Sequence, residues 1–358
     1  MAFTGTLNSN EIYSALFNMI ISQEVFAGNI KGTYSSLVNQ AKTDGTLYGD
    51  TKLYYATDAL KSHEWTNDLE AAQLLSLDRP EEPKCQAITI DKFRQIRLTV
   101  DNYLSKRAWS DEGAFSSFNG VMLGWIKDTK KIYDSTYYNS YIGTAKGDTD
   151  EQQVEIDLGT ATEGLTGKEK DEAEAKEIAR KIADLMVAMK DVSRDFNDYG
   201  FLRSYDDEEI KIVWNSEWVN KIKKIDLPTI FHKEGLVDKF AEEVLPARYF
   251  GNVETKAGNS DGTTDCRTLV EMDTPEGHIF PGDMIPENVA YKTGEAYFVD
   301  SDVICKVLVK LPPYMSAFEV GTSFFNPRSL TENHYLTFGH NTLEYLKGYP
   351  MITVKAVY

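Results

Sequence analysis

Catalysis needs side chains that can hold a metal, carry a proton or attack, and this chain has few of them at useful spacing. Its histidines are His63, His232, His278, His334 and His340. None stands in the HxxxH or HExxH arrangement that sets two imidazoles on one helix face, so a zinc hydrolase has no support. Glu332, His334 and His340 could in principle meet at a metal, but they read as surface or loop residues. Cys85, Cys266 and Cys305 show no zinc-ligand spacing. Cys85 lies between two strand-like runs without the surroundings of a nucleophile, and reads as a small buried apolar residue. No GxxxxGK[ST] or GxGxxG loop is present to cradle a phosphate. Asp148, Asp150 and Glu151 cluster, but no Gly or Glu falls where a calcium loop needs it, so they read as a solvated acidic loop. The sequence therefore predicts no catalytic residue, no metal and no cofactor, in a chain that is not an enzyme.

One basic island interrupts an otherwise acidic chain: Lys92, Arg94, Arg97, Lys106 and Arg107. Three readings stay open for it. It is a solvated strand face, an interface that docks on an acidic neighbour and sets register by charge complementarity, or a contact with nucleic acid. The formal net charge of −18 weighs against a direct grip on duplex DNA, because that affinity comes mainly from Lys and Arg neutralising phosphates. Tyr133, Tyr137, Tyr138 and Tyr141 form an aromatic cluster. Packing or an interface suits it better than base stacking, because one end of a tyrosine is apolar and the other wet.

These side chains need elements to carry them. Residues 1–50 read as an extended arm with one amphipathic helix, Glu11–Phe26, and turn chemistry over Asp44–Asp50. Residues 51–108 read as a long two-stranded excursion. It leaves through Lys52–Tyr55, turns near Leu77–Pro83 and returns through Ala87–Ile90 and Ile96–Val100. In the last run Ile96, Leu98 and Val100 alternate with Arg97 and Thr99, the pattern of a half-buried strand. Such an excursion buries little of itself and needs a neighbouring molecule to cover it. Phe115, Phe118, Met122, Trp125, Ile126, Thr129 and Ile132 recur at helical spacing and predict one long helix over 111–142. Asp111 and Glu112 at its start, and Lys127, Lys130 and Lys131 late in it, suit its dipole.

A loop or short hairpin follows, with a strand over Val154–Leu158. A second long helix is predicted from Lys168 to Asn197, with Ile178, Ile182, Leu185, Met186, Met189 and Val192 on one face and Gly200 as its stop. Beyond it come a strand at Ile210–Trp214, a short helix at Ser216–Ile225 and another at Val237–Val244. Residues 251–320 are rich in strands, firmest at Ala296–Val299 and Ile304–Leu311, and Met351–Tyr358 is a last strand.

At 358 residues, with 42% hydrophobic and 12% aromatic residues, the chain can bury a large core without metals or disulfides. Three sparse cysteines fit a reducing compartment. No basic region precedes the first apolar stretch as in a signal peptide, and no apolar run is long enough to span a bilayer.

This order of pieces resembles the capsid fold of tailed double-stranded DNA phages, the Hong Kong 97 type. The wording of Asp44–Lys52, Thr99–Arg107, Tyr133–Asn139 and Lys211–Val253 is similar to major capsid proteins of short-tailed phages. The resemblance implies an α+β fold divided into an N-terminal arm (1–50), an extended two-stranded loop (51–108), a spine helix and peripheral domain (109–165), an axial domain (166–320) and a C-terminal return to the peripheral domain (321–358). It implies a subunit that assembles with itself, in hexamers and pentamers, into an icosahedral or prolate shell around the genome. Another virion subunit, or an encapsulin-like compartment shell, is the alternative. The arm begins almost at Met1, so no fused scaffold is expected. A separate scaffolding protein, or assembly without one, then follows, with a portal, weak non-specific contact with packaged double-stranded DNA, no membrane, and assembly in the host cytoplasm. Lys92, Arg94, Arg97 and Arg107 are the expected subunit-interface residues; some members of the resembled family crosslink Lys to Asn between subunits, and nothing in this sequence fixes such a pair.

Overall fold

The computed structural model describes residues 34–45, 49–62, 77, 79–101, 112–223, 243–255 and 295–358. In chain order its helices are α1 (Ser36–Ala41), α2 (Glu112–Thr144), α3 (Leu158–Ala161), α4 (Lys168–Lys190) and α5 (Ser216–Lys223). Its strands are β1 (Lys42–Asp44), β2 (Thr51–Ala56), β3 (Lys84–Asp101), β4 (Gln153–Asp157), β5 (Lys211–Asn215), β6 (Glu243–Leu245), β7 (Gly251–Thr255), β8 (Glu295–Val299), β9 (Val303–Leu308), β10 (Tyr314–Asn326), β11 (Thr331–Asn341) and β12 (Met351–Val357). The predicted helix at Glu11–Phe26 lies outside the described residues.

The chain divides into two compact units, one of residues 1–50, 89–138 and 314–342, the other of 51–88, 139–313 and 343–358. In the first, β10 and β11 form a long antiparallel hairpin, β11 pairs antiparallel with β3, and β1 joins the far edge parallel to β10. The two predicted runs at 87–90 and 96–100 are one strand of 18 residues. Buried Leu37 and Val38 of α1, Ile126 and Tyr138 of α2, and Leu336 and Phe338 of β11 fill the core of this unit.

α2 is 33 residues long, about 50 Å at 1.5 Å per residue. Its buried face differs from the predicted one. Ile126, Lys130, Tyr133, Tyr137 and Tyr138 are buried, whereas Trp125, Thr129 and Ile132 are only half-buried. Tyrosines further along the helix, with Ile126 and Lys130, carry the buried face instead, rotated from the predicted stripe. The side chain of Phe118 lies outside the described residues.

In the second unit a sheet of order β4-β12-β9-β5-β6 packs against α4 and α5. Ile178, Ile182, Leu185, Met186 and Met189 bury their side chains, as their period predicts. Every residue of β9 is buried, as befits a central strand covered on both faces. Four expectations change here. α4 stops at Lys190, because Asp191 turns extended, with ψ 152°. Val192 is therefore exposed, and Gly200, at φ +62°, serves a later turn. Val154 sits in β4, which pairs parallel with β12 and not in a local hairpin. Glu243 and Val244 are strand, pairing with β5, and the rest of that predicted helix lies outside the described residues. β9 ends at Leu308, three residues short of the prediction.

The excursion is anchored within this unit. The carboxylate of Asp58 accepts from the backbone N–H of Leu202 at 2.9 Å and from Arg194 at 2.8 Å. Those bonds hold its pKa down, at about 2. Beyond that root, Leu60 and Leu77 are largely in solvent, at 79% and 80% exposure. Gly143, near the end of α2, meets the backbone carbonyl of Tyr249 so closely that a Cβ would overlap it.

Candidate interaction surface

Alternation along β3 divides the basic island. Lys92 and Arg94 share a face with buried Val100, whereas Arg97 stands with Phe93, Gln95 and Thr99 on the other. Arg94 lies 5.9 Å from the ring centre of Tyr133 on α2. Arg97 donates to Gln95 at 2.8 Å. All three cations are exposed. Lys106 and Arg107 lie outside the described residues. The structure thus brings Lys92 and Arg94 together on one side of the strand and sets Arg97 on the other.

The face that carries Arg97 is continuous across three strands. In the antiparallel register Arg97 faces Tyr335, which faces Thr322, and Thr99 faces Asn333, which faces Phe324. Gln95 donates to Thr337 at 3.1 Å and Thr99 to Asn333 at 2.6 Å, so the polar side chains of this face are tied across strands. Its large apolar members remain in solvent: Phe93 is 41%, Val320 43% and Phe324 61% exposed.

The opposite face holds a buried polar network instead. His340 is wholly buried and is neither a surface nor a loop residue, contrary to expectation. Its Nδ1–H donates to the carbonyl of Asn341 at 2.8 Å, so its Nε2 accepts from the Tyr133 hydroxyl at 2.6 Å. Burial lowers its pKa to about 4, so it stays neutral near pH 7. Burial also raises the phenols of Tyr133 and Tyr314. Asp134 accepts from the Tyr314 hydroxyl at 2.8 Å and from Lys130 at 2.9 Å, and pairs with Lys42 at 3.1 Å. Of the two readings left open for the tyrosine cluster, the described residues show packing: Tyr133, Tyr137 and Tyr138 are buried, and Tyr137 meets His340 edge-on at 4.8 Å. Among the described residues no group of three or more His, Cys, Asp or Glu is placed to hold a metal ion. Cys85, expected to be buried, is exposed, because it stands on the outward parity of β3.

Two features escaped the sequence. A cleft of about 240 Å³ opens beside Asp134, lined by Lys42, Lys127, Lys130, Lys131 and Glu319. The 127/130/131 spacing places three lysines on one helix face, which was legible. Lys42 arrives only because β1 pairs with β10, which was not. In the second unit Lys306 is buried on β9, donating to the carbonyl of Ala145 at 2.7 Å and to Thr353 at 2.8 Å. Burial pushes its pKa down to about 7.

The model of a family described as Phi29-like phage major capsid protein matches residues 4–351 of this sequence. No curated protein sequence matches the chain. Among solved structures, a chain in the capsid structure of Staphylococcus phage Andhra aligns with a TM-score of 0.63 at 8% identity, over 100% of this chain and 89% of that one. A chain in a structure described as head fiber and inner core protein gp22 of native bacteriophage P68 aligns with a TM-score of 0.63 at 9% identity, over 88% and 83%.

Proposed function

The chain belongs to the family of Phi29-like phage major capsid proteins, and from that premise we propose how its copies hold one another. It is a shell-forming major capsid protein of the phage virion, with an α+β, Hong Kong 97-like capsid fold. In our reading, the outer face of β3, β10 and β11 docks on a neighbouring copy. The observation that carries this is the exposure of Phe93, Val320 and Phe324 on one sheet face beside Arg97. Large apolar side chains held in solvent on one sheet face are what an interaction site covers.

Lys92, Arg94, Arg97 and Arg107 are the interface cations of this reading. Arg97 lies within the apolar face and Lys92 and Arg94 on the reverse of the same strand, so β3 is gripped from two sides. An Arg fork can hold a neighbour's carboxylate with two hydrogen bonds. In this reading the subunit has five regions: arm (1–50), extended loop (51–108), spine helix and peripheral domain (109–165), axial domain (166–320) and C-terminal return (321–358). It works with a separate scaffolding protein and a portal, assembles in the host cytoplasm and has no catalytic task. Packaged double-stranded DNA is met weakly, since a subunit of net charge −18 repels a polyanion.

The test is charge placed on the face. Val320→Glu with Phe324→Glu should leave a folded subunit by circular dichroism that sediments as small oligomers, and so should Arg94→Glu with Arg97→Glu. Full-size shells from both double variants at ordinary salt would overturn the reading.

A further inference from the structure

We propose that the lysine cleft of the first unit is a seat for a carboxylate-bearing segment of a neighbouring copy of this chain. The inference rests on the shell-forming reading and adds a second, electrostatic contact to it. The cleft has four lysines, Lys42, Lys127, Lys130 and Lys131, against two carboxylates, Asp134 and Glu319. Lys42 and Lys130 are already held by Asp134. Lys130 also lies 3.8 Å from Glu319 and 5.2 Å from the ring centre of Phe338. Lys127 and Lys131 are exposed and form no ion pair among the described residues. They stand one turn apart on α2, where like charges destabilise a helix. An anion in the cleft relieves that repulsion, and Ser35 and Asn39 at its wall can donate further hydrogen bonds.

The overall charge selects the anion. The chain carries 56 Asp and Glu against 38 Lys and Arg. Copies this acidic repel one another at close range, and a contact between them gains where it sets unpaired cations against surplus carboxylates. The concave site admits single side chains. A duplex instead presents an even track of phosphates on a convex rod, and that track meets the half-exposed carboxylate of Glu319 at the cleft. The neighbour's Asp or Glu is therefore the better occupant than DNA.

The experiment uses shells of the full chain, assembled from an equal mixture of unlabelled and heavy-nitrogen subunits. A zero-length carbodiimide joins contacting amines and carboxyls, and mass spectrometry reads the linked peptides. The expected result is mixed-label linkage of Lys127 or Lys131 to an Asp or Glu of another copy, lost in Lys127→Gln with Lys131→Gln shells. Intact shells that give only same-label linkages, or none at these lysines, overturn the proposal. So does protection of both lysines from acetylation in DNA-filled but not in empty shells, which would assign the cleft to phosphate. Shell formation is read first by sedimentation. Its failure defeats the shell reading itself and is distinct from failure of the cleft.

Discussion

Lys130 in the first unit and Lys306 in the second are 8% and 1% exposed, yet their surroundings differ. Lys130 shares Asp134 with Lys42 and a tyrosine hydroxyl, so its charge is answered by a charge. Lys306 has only a carbonyl and a hydroxyl, with Lys146 and Lys355 adding positive potential. A buried cation with a carboxylate is a fixed joint between helix and sheet. One with neutral acceptors is a joint whose strength follows pH. The two units therefore respond to different perturbations, and each half of that contrast can be attacked.

The largest effect should come from removing the shared carboxylate. Asp134→Ala strands Lys130 and frees the Tyr314 hydroxyl, and loss of one partner from a buried pair costs about 3–5 kcal/mol. Urea unfolding of the unassembled subunit measures it, and a loss below about 1 kcal/mol, the scale of a surface pair, would erase the contrast.

Next is the pH response of Lys306. Its folded pKa is about 7 against an ordinary 10.5. Between those values the unfolded chain holds a proton that the folded chain lacks, so stability rises with pH, by about 1.4 kcal/mol per unit. Below pH 7 both states are charged and the slope vanishes. Lys306→Met should lack this slope between pH 7 and 10, so that the difference between the two stability curves carries it, with hydrogen exchange locating the change in β9 and β12. Parallel curves for the two proteins would show that Lys306 is charged in the fold.

His340 gives the first unit a smaller response on the acid side. Its pKa falls from 6.5 to about 4, so the unfolded chain binds the proton first as pH drops through that window. Stability is lost there, by about 3 kcal/mol in all. His340→Gln should flatten the acid limb, and amides of β10 and β11 should report it before those of β9. The smallest effect is that of Tyr133→Phe, which leaves the His340 Nε2 without its donor at a cost of about 1–2 kcal/mol.

The same contrast shows what could be read before folding. The face of α4 was legible because Ile178, Ile182, Leu185, Met186 and Met189 repeat with the helix itself, and such local periods survive any tertiary arrangement. The outward parity of β3 was legible in the alternation of residues 96–100, but it could not be carried back to exposed Cys85, because the register with β11 shifts between Lys92 and Ile90. Lys306 was not legible. On a strand the eye sends a lysine to solvent, and only β5 and β12 pairing on either side of β9 places it at the centre of a sheet. His340 failed for a like reason, since its partners Tyr133 and Tyr314 come from distant segments. The basic island was visible as composition, but its division between two faces needed the register with β11. The lysine cleft was half visible, as three lysines on one helix face awaiting a fourth from β1.

The pairing of β1 with β10 also has a consequence in time. Lys42 lies opposite Tyr314, so a strand made early in translation waits for one made late. Contacts between segments this far apart in sequence form slowly and late in folding. The docking face uses β10 and β11, and the lysine cleft uses Lys42 and Glu319 together. Neither surface is complete until β10 and β11 have been made and paired. In the docking reading, competence to join a growing particle follows that pairing and not the earlier local helices.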